Sequence, residues 1–167
     1  MQSLPLVDVC QAGENAEADG LIEAAEEDAL ALLHAADLLG ELSLTLCDAP
    51  FIRGLNQQWR GVDAPTDVLS FPIEDEIMLG DLVICVEVVH RQAAERGYTP
   101  RDELRVLLVH GLLHLIGYDH EASDEHARQM AELEQQLMKK LRWEGEGLIC
   151  AAGGTSASGT HLRSSSC

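Results

Sequence analysis

Val109-His110-Gly111-Leu112-Leu113-His114-Leu115-Ile116-Gly117-Tyr118-Asp119-His120 is the stretch on which the reading of this chain turns. His110 and His114 are four residues apart, and a helix turning every ~3.6 residues puts them on one face with Cβ atoms roughly 5–6 Å apart. That separation suits two imidazole nitrogens each about 2.0–2.1 Å from one zinc ion. Gly117 is a residue that ends helices in the left-handed conformation, and the turn it permits can bring in His120 as a third ligand. Three neutral histidines leave a fourth tetrahedral position for water, the layout of a catalytic zinc site. Around them run Leu104, Val106, Leu107, Leu108, Val109, Leu112, Leu113, Leu115 and Ile116. A helix apolar on nearly every side is buried, so the domain has to be built around this one.

The flanking sequence supplies the covering elements. Residues 4–10 alternate apolar and polar positions and read as a first strand. Residues 16–39 read as a long helix with Ile22, Ala25, Ala29, Leu32, Leu33 and Ala36 inward, closed by Gly40. Its acids Glu17, Asp19 and Glu23 favour the N-terminal end of the dipole, and the acidic run as a whole reads as a solvated face. Residues 42–47 alternate strictly as a second strand, and Asp48 can cap a short helix that runs to about Trp59 with Pro50 in its first turn. After a polar loop, residues 68–71 form a third strand stopped by Pro72. Glu74-Asp75-Glu76 makes an exposed turn, and residues 79–86 are apolar enough for a central strand. A helix over 88–96 ends at Gly97, and Thr99, Pro100 and Asp102 form a capping arrangement for the histidine helix. Ser123 opens a last helix, with Met130, Leu133, Leu137 and Leu141 as its core stripe. The pattern predicts an α+β domain with about four strands and about five helices over residues 1–143. From residue 144 the chain turns to Gly, Ala, Ser and Thr, a composition expected to be disordered.

A length of 167 residues and 46% hydrophobic content suit one globular domain with a real core. The sequence contains no apolar run of the ~18–20 residues that cross a bilayer, and the N-terminus lacks the pattern of a secretory signal, so the chain reads as cytoplasmic. Five widely spaced cysteines without a Cys-x-x-Cys argue against disulfides and thiolate zinc. Cys10, Cys47 and Cys85 each close an apolar run and are expected as buried thiols. The net charge of −18 disfavours strong non-specific binding to nucleic acid. Residues 1–52 hold eleven acids and no Lys or Arg, so any contact with a polyanion is local to the later part.

His-x₃-His-x₂-Gly-x₂-His is also the spacing of metzincin proteases. Those enzymes need a glutamate directly after the first histidine as general base, and here that position is Gly111, which moves no proton. The motif from His110 to His120 resembles instead the signature of the YbeY family of bacterial ribosome-maturation proteins. Two further segments agree with it: residues 56–72, with Arg60 and the run Pro65-Thr66-Asp67-Val68-Leu69-Ser70-Phe71-Pro72, and Leu79-Gly80-Asp81. The resemblance spans roughly residues 4–142 and implies a four-stranded mixed sheet under the helices. It implies a zinc-dependent single-strand endoribonuclease that matures the 3′ end of small-subunit ribosomal RNA and acts in late ribosome quality control. One Zn²⁺ would be held by His110, His114 and His120, with Arg60 as the catalytic residue. Expected partners are single-stranded or precursor ribosomal RNA, the small subunit and its proteins, a ribosome-assembly GTPase and an exoribonuclease.

Arg60 has a plain alternative in a surface ion pair with Asp63 or Asp67. Asp119, Asp67 and Asp81 could orient a ligand, cap turns or bind substrate, and Tyr118 could stack a base or pack. His126, His34 and His90 carry no metal-spacing signal. Two other readings of the whole remain: a zinc-stabilised module that binds at the ribosome with little nuclease activity, and a purely structural zinc with four protein ligands.

Overall fold

A computed structural model describes residues 4–14, 18 and 20–149. Four strands form one mixed sheet in the order β1-β2-β4-β3, from β1 (Leu6–Ala12), β2 (Glu41–Cys47), β3 (Val68–Pro72) and β4 (Met78–Cys85). β1, β2 and β4 run parallel, and β3 pairs antiparallel with β4, Ser70 opposite Leu82. The helices are α1 (Leu21–Ala35), α2 (Ala49–Arg60), α3 (Val86–Arg96), α4 (Pro100–Leu115) and α5 (Asp124–Leu141). The expected α+β class, with four strands and five helices, is therefore what the described residues adopt.

The side-chain period of two in the strands divides the core between the faces of the sheet. Leu42, Leu44, Leu46, Val68, Leu82 and Ile84 point to one face, under α1 and α4. Cys47, Leu69, Val83 and Cys85 point to the other, where Ile52 and Leu55 of α2 and Val88 of α3 cover them. Asp48 caps α2 by accepting the Phe51 N–H at 3.0 Å, as its position before Pro50 predicts. The larger layer has α4 at its centre, and Leu104, Val106, Leu107, Leu108, Val109 and Leu112 are fully buried.

Gly111 explains how closely α4 lies on the sheet. A Cβ there would come within 2.8 Å of Leu82 Cδ2 and 3.2 Å of Val68 Cγ2. The Ser70 hydroxyl donates to the Gly111 carbonyl at 3.1 Å, tying edge strand β3 to the helix.

Three expectations are corrected. The helix read over 16–39 occupies Leu21–Ala35, with residues 15–17 and 19 outside the described set. It stops early because Asp37 turns left-handed (φ 53°) and the Leu38 N–H returns to the Leu33 carbonyl, a local cap that periodicity does not reveal. The acidic run is not uniformly solvated. Asp28 is buried and receives Arg101 Nη2 at 2.8 Å and Arg105 Nε at 2.8 Å, joining α1 to α4. Cys10 is exposed because β1 is an edge strand whose outer face is uncovered, whereas Cys47 and Cys85 are buried free thiols as expected. No helix among the described residues is long and apolar enough to cross a membrane.

Candidate metal centre

The scaffold of the centre starts at the far end of α4. Thr99 accepts the Asp102 N–H at 3.1 Å and the Asp102 carboxylate reaches back to Thr99, a complete capping box that sets where the helix begins. Helical spacing then carries His110 and His114 to the C-terminal end, where they are almost fully buried. Gly117 takes φ 105°, its N–H bonds to the His114 carbonyl, and the Tyr118 N–H bonds to the Leu113 carbonyl. A left-handed residue is needed for that reversal. Asp119 steadies the next step by accepting the Glu121 N–H at 2.9 Å, and His120 swings back over the helix end.

The three rings converge. Centroids lie 4.7 Å apart for His110 and His114, and 5.1 Å from each of these to His120. One ring nitrogen from each falls within 4.8 Å of the others. Nε2 of His110 and Nε2 of His114 face each other at 3.2 Å. Two nitrogens bound tetrahedrally at 2.0–2.1 Å would be about 3.3 Å apart, so this spacing already suits one small divalent ion. The Nδ1 of His120 is buried without a hydrogen-bond partner among the described residues.

Electrostatics keep the rings ready to ligate. Burial pushes His110 down to about 3, against the pull of the Asp67 carboxylate and helped by His120. Burial, then His110 and His120, push His114 down to about 4. Both are neutral at pH 7, the form in which an imidazole offers a lone pair.

Spacing alone does not reveal Glu134. This residue of α5 is fully buried and its Oε1 lies 3.3 Å from His110 Nδ1. A carboxylate there accepts the Nδ1 proton, fixes the tautomer and leaves Nε2 as the lone pair. Burial pushes its carboxyl up to about 7, opposed by the N–H groups of Ile149 and Leu148. A signal for it exists: Glu134 sits between Leu133 and Leu137 in the apolar stripe of α5, where a carboxylate has no reason to be unless it has a partner. Asp67 is likewise buried, holds the Val68 N–H at 2.8 Å, and is raised chiefly by burial.

Arg60 is the last residue of α2, following Trp59, whose ring meets Phe71 edge-on at 6.0 Å. Its expected ion-pair alternatives are both engaged: Asp63 pairs with Arg53 at 2.7 Å, and Asp67 is held by Val68 and Gln92. The Arg60 Nη1 is buried with no hydrogen-bond partner among the described residues. His126 bonds to its own cap residue Ser123, Asp81 of β4 stands opposite Phe71 of β3, and neither joins the cluster.

The family model described as Endoribonuclease YbeY matches residues 10–142. The Arabidopsis thaliana protein "Endoribonuclease YBEY, chloroplastic" is 53% identical over 121 residues, covering 67% of this chain but 20% of that protein's length. "Endoribonuclease YbeY" of a Sulfurihydrogenibium species is 48% identical over 109 residues, covering 62% of this chain and 72% of its own. Its Salinispora tropica counterpart is 40% identical over 130 residues, 65% of this chain and 82% of its own. The solution structure of TM1509 from Thermotoga maritima superposes with a TM-score of 0.54 at 27% identity, over 93% of this chain and 99% of that one. Because that family model spans residues 10–142 of the 167, the chain belongs to the Endoribonuclease YbeY family.

Proposed function

We propose that the chain is a zinc-dependent single-strand endoribonuclease that processes ribosomal RNA, at the 3′ end of the small-subunit RNA, and serves late ribosome quality control. The observation that carries this reading is the convergence of three histidines, two of them buried and held neutral, with no glutamate at position 111. Family membership adds the endoribonuclease role.

When bound, zinc supplies a Lewis acid for a phosphate oxygen and brings the pKa of a coordinated water to around 7. The chain's own residues do the rest. His110, His114 and His120 would hold the ion, and Glu134 holds the proton on His110 Nδ1. The apolar flank of α4 keeps water away and so strengthens every charge interaction at the helix end. Arg60, permanently cationic and fork-shaped, holds the scissile phosphate with its unpaired guanidinium nitrogen. The acidic surface suits basic proteins of the small subunit; an assembly GTPase and an exoribonuclease complete the proposed set of partners.

The test compares wild type, His114→Ala and Arg60→Ala on single-stranded and duplex RNA, with metal content measured for each. Wild type should cut the single strand and stop when the metal is chelated. His114→Ala should lose both metal and cleavage. Arg60→Ala should keep metal and fold and lose cleavage by about 10²-fold or more, as loss of a charge-stabilising group does. Undiminished cutting by Arg60→Ala would remove its catalytic role. Metal-replete wild type that binds ribosomal subunits and never cuts would make the protein a binding module instead.

A further inference from the structure

The matched family segment ends at residue 142, yet the chain goes on being built into the fold through residue 149. Trp143 packs against the core, with Arg105 Cζ 5.1 Å from its ring centroid. The Glu146 N–H donates to the Tyr98 hydroxyl at 3.3 Å, and a Cβ at Gly145 would stand 3.1 Å from Tyr98 Cζ. Leu148 is buried in the main core. The course of this segment brings the N–H groups of Leu148 and Ile149 to the Glu134 carboxylate, the latter 3.4 Å from Oε2. Gly147 makes the approach possible, since a Cβ there would stand 2.7 Å from Glu134 Oε2 and 2.8 Å from Glu134 Cβ.

One carboxylate therefore has its two oxygens assigned to different jobs: Oε1 faces His110 Nδ1, and Oε2 takes a backbone donor from the C-terminal segment. A carboxylate in water rotates freely, whereas one buried and held at both oxygens cannot turn without breaking a bond that nothing replaces. We propose that residues 143–149 are a strap that fixes the Glu134 carboxylate against His110, making Glu134 a positioning residue of the metal centre and the strap its support. The inference rests on the reading of the three histidines as a metal site.

Zinc affinity is measured by chelator competition for the full chain, for Gly147→Val, for Glu134→Gln and for a chain ending at Arg142. Ile52→Ala, which opens a cavity on the opposite face of the sheet, controls for general loss of stability. The strap and Glu134 variants should bind zinc about 10–100-fold more weakly, the usual cost of losing the group behind a ligand histidine. Ile52→Ala should lower the Tm and leave zinc affinity unchanged. Gly147→Val combined with Glu134→Gln should be no weaker than the weaker single variant, because both act on one carboxylate. If the chain ending at Arg142 does not fold, Gly147→Val and Glu134→Gln decide the matter alone. A folded Gly147→Val with full zinc affinity overturns the strap. If the full chain takes up no zinc, the metal reading fails, and the tautomer of His110, read from ¹⁵N NMR of the ring, decides the strap. The Nδ1–H form should hold in the full chain and become mixed in Gly147→Val; one tautomer in both overturns the proposal.

Discussion

Gly111 does two things, only one of which shows in the motif. In the sequence it is the position where a zinc protease would carry its glutamate. In the fold it faces the sheet, within reach of Leu82 and Val68, and lets α4 settle onto β3 and β4. Gly111→Glu would complete the protease pattern on paper while driving a carboxylate into an apolar layer. The expected result is loss of more than about 3 kcal/mol of stability, from overpacking and an unpaired buried acid, with no gain of peptidase activity. Urea denaturation with a peptide-cleavage assay checks both halves. The three histidines were legible because a four-residue step on a helix is a local geometric fact. That Glu134 partners His110 was not, because it is brought there by the packing of α5 on α4 across 24 residues of chain.

Among the elements, α1 and α4 are joined by a charge cluster that their amphipathic patterns do not announce. Asp28 lies under both Arg101 and Arg105, each supplying two hydrogen bonds, and Arg101 also reaches Glu27. Asp28 is buried while the two arginines stay partly exposed, which tempers the cost of parting them. Asp28→Asn keeps the shape and removes the charge, and should destabilise the fold by about 2 kcal/mol, read as a shift of the urea midpoint at unchanged slope. Helix and strand identities were legible from period and caps: Asp48 before Pro50, Thr99 before Pro100 and Ser123 before Asp124 all mark observed starts. The end of α1 was not, since a left-handed aspartate at position 37 leaves no periodic trace.

For the molecule as a whole, buried acids on the site side of the core tie stability to pH. Glu103 is fully buried, 3.5 Å from Arg96. Burial pushes its carboxyl up from 4.5 to about 7, against the pull of Arg96 and with help from Asp67 and Glu95. A folded-state value above the unfolded one means the native state holds the proton more tightly. The stabilisation is therefore complete below about pH 4.5 and is lost as pH rises through 7. At roughly 1.4 kcal/mol per unit, the loss is on the order of 3 kcal/mol. His110, His114 and Glu134 titrate in the same range, so the check is the difference between wild type and Glu103→Gln: urea unfolding from pH 4.5 to 8 should show the wild type losing about this much stability relative to the variant.

Taken by itself, the sequence determined the class of fold, the order of its elements, and a histidine cluster at the end of a buried helix. Each of these rests on interactions between residues a few positions apart, or on a hydrophobic period that any observer can count. Only the tertiary structure decided what stands behind His110 and which acids are buried. Those depend on which faces meet when the helices close over the strands, and side chains far apart in the chain carry no mark of the neighbours that packing gives them.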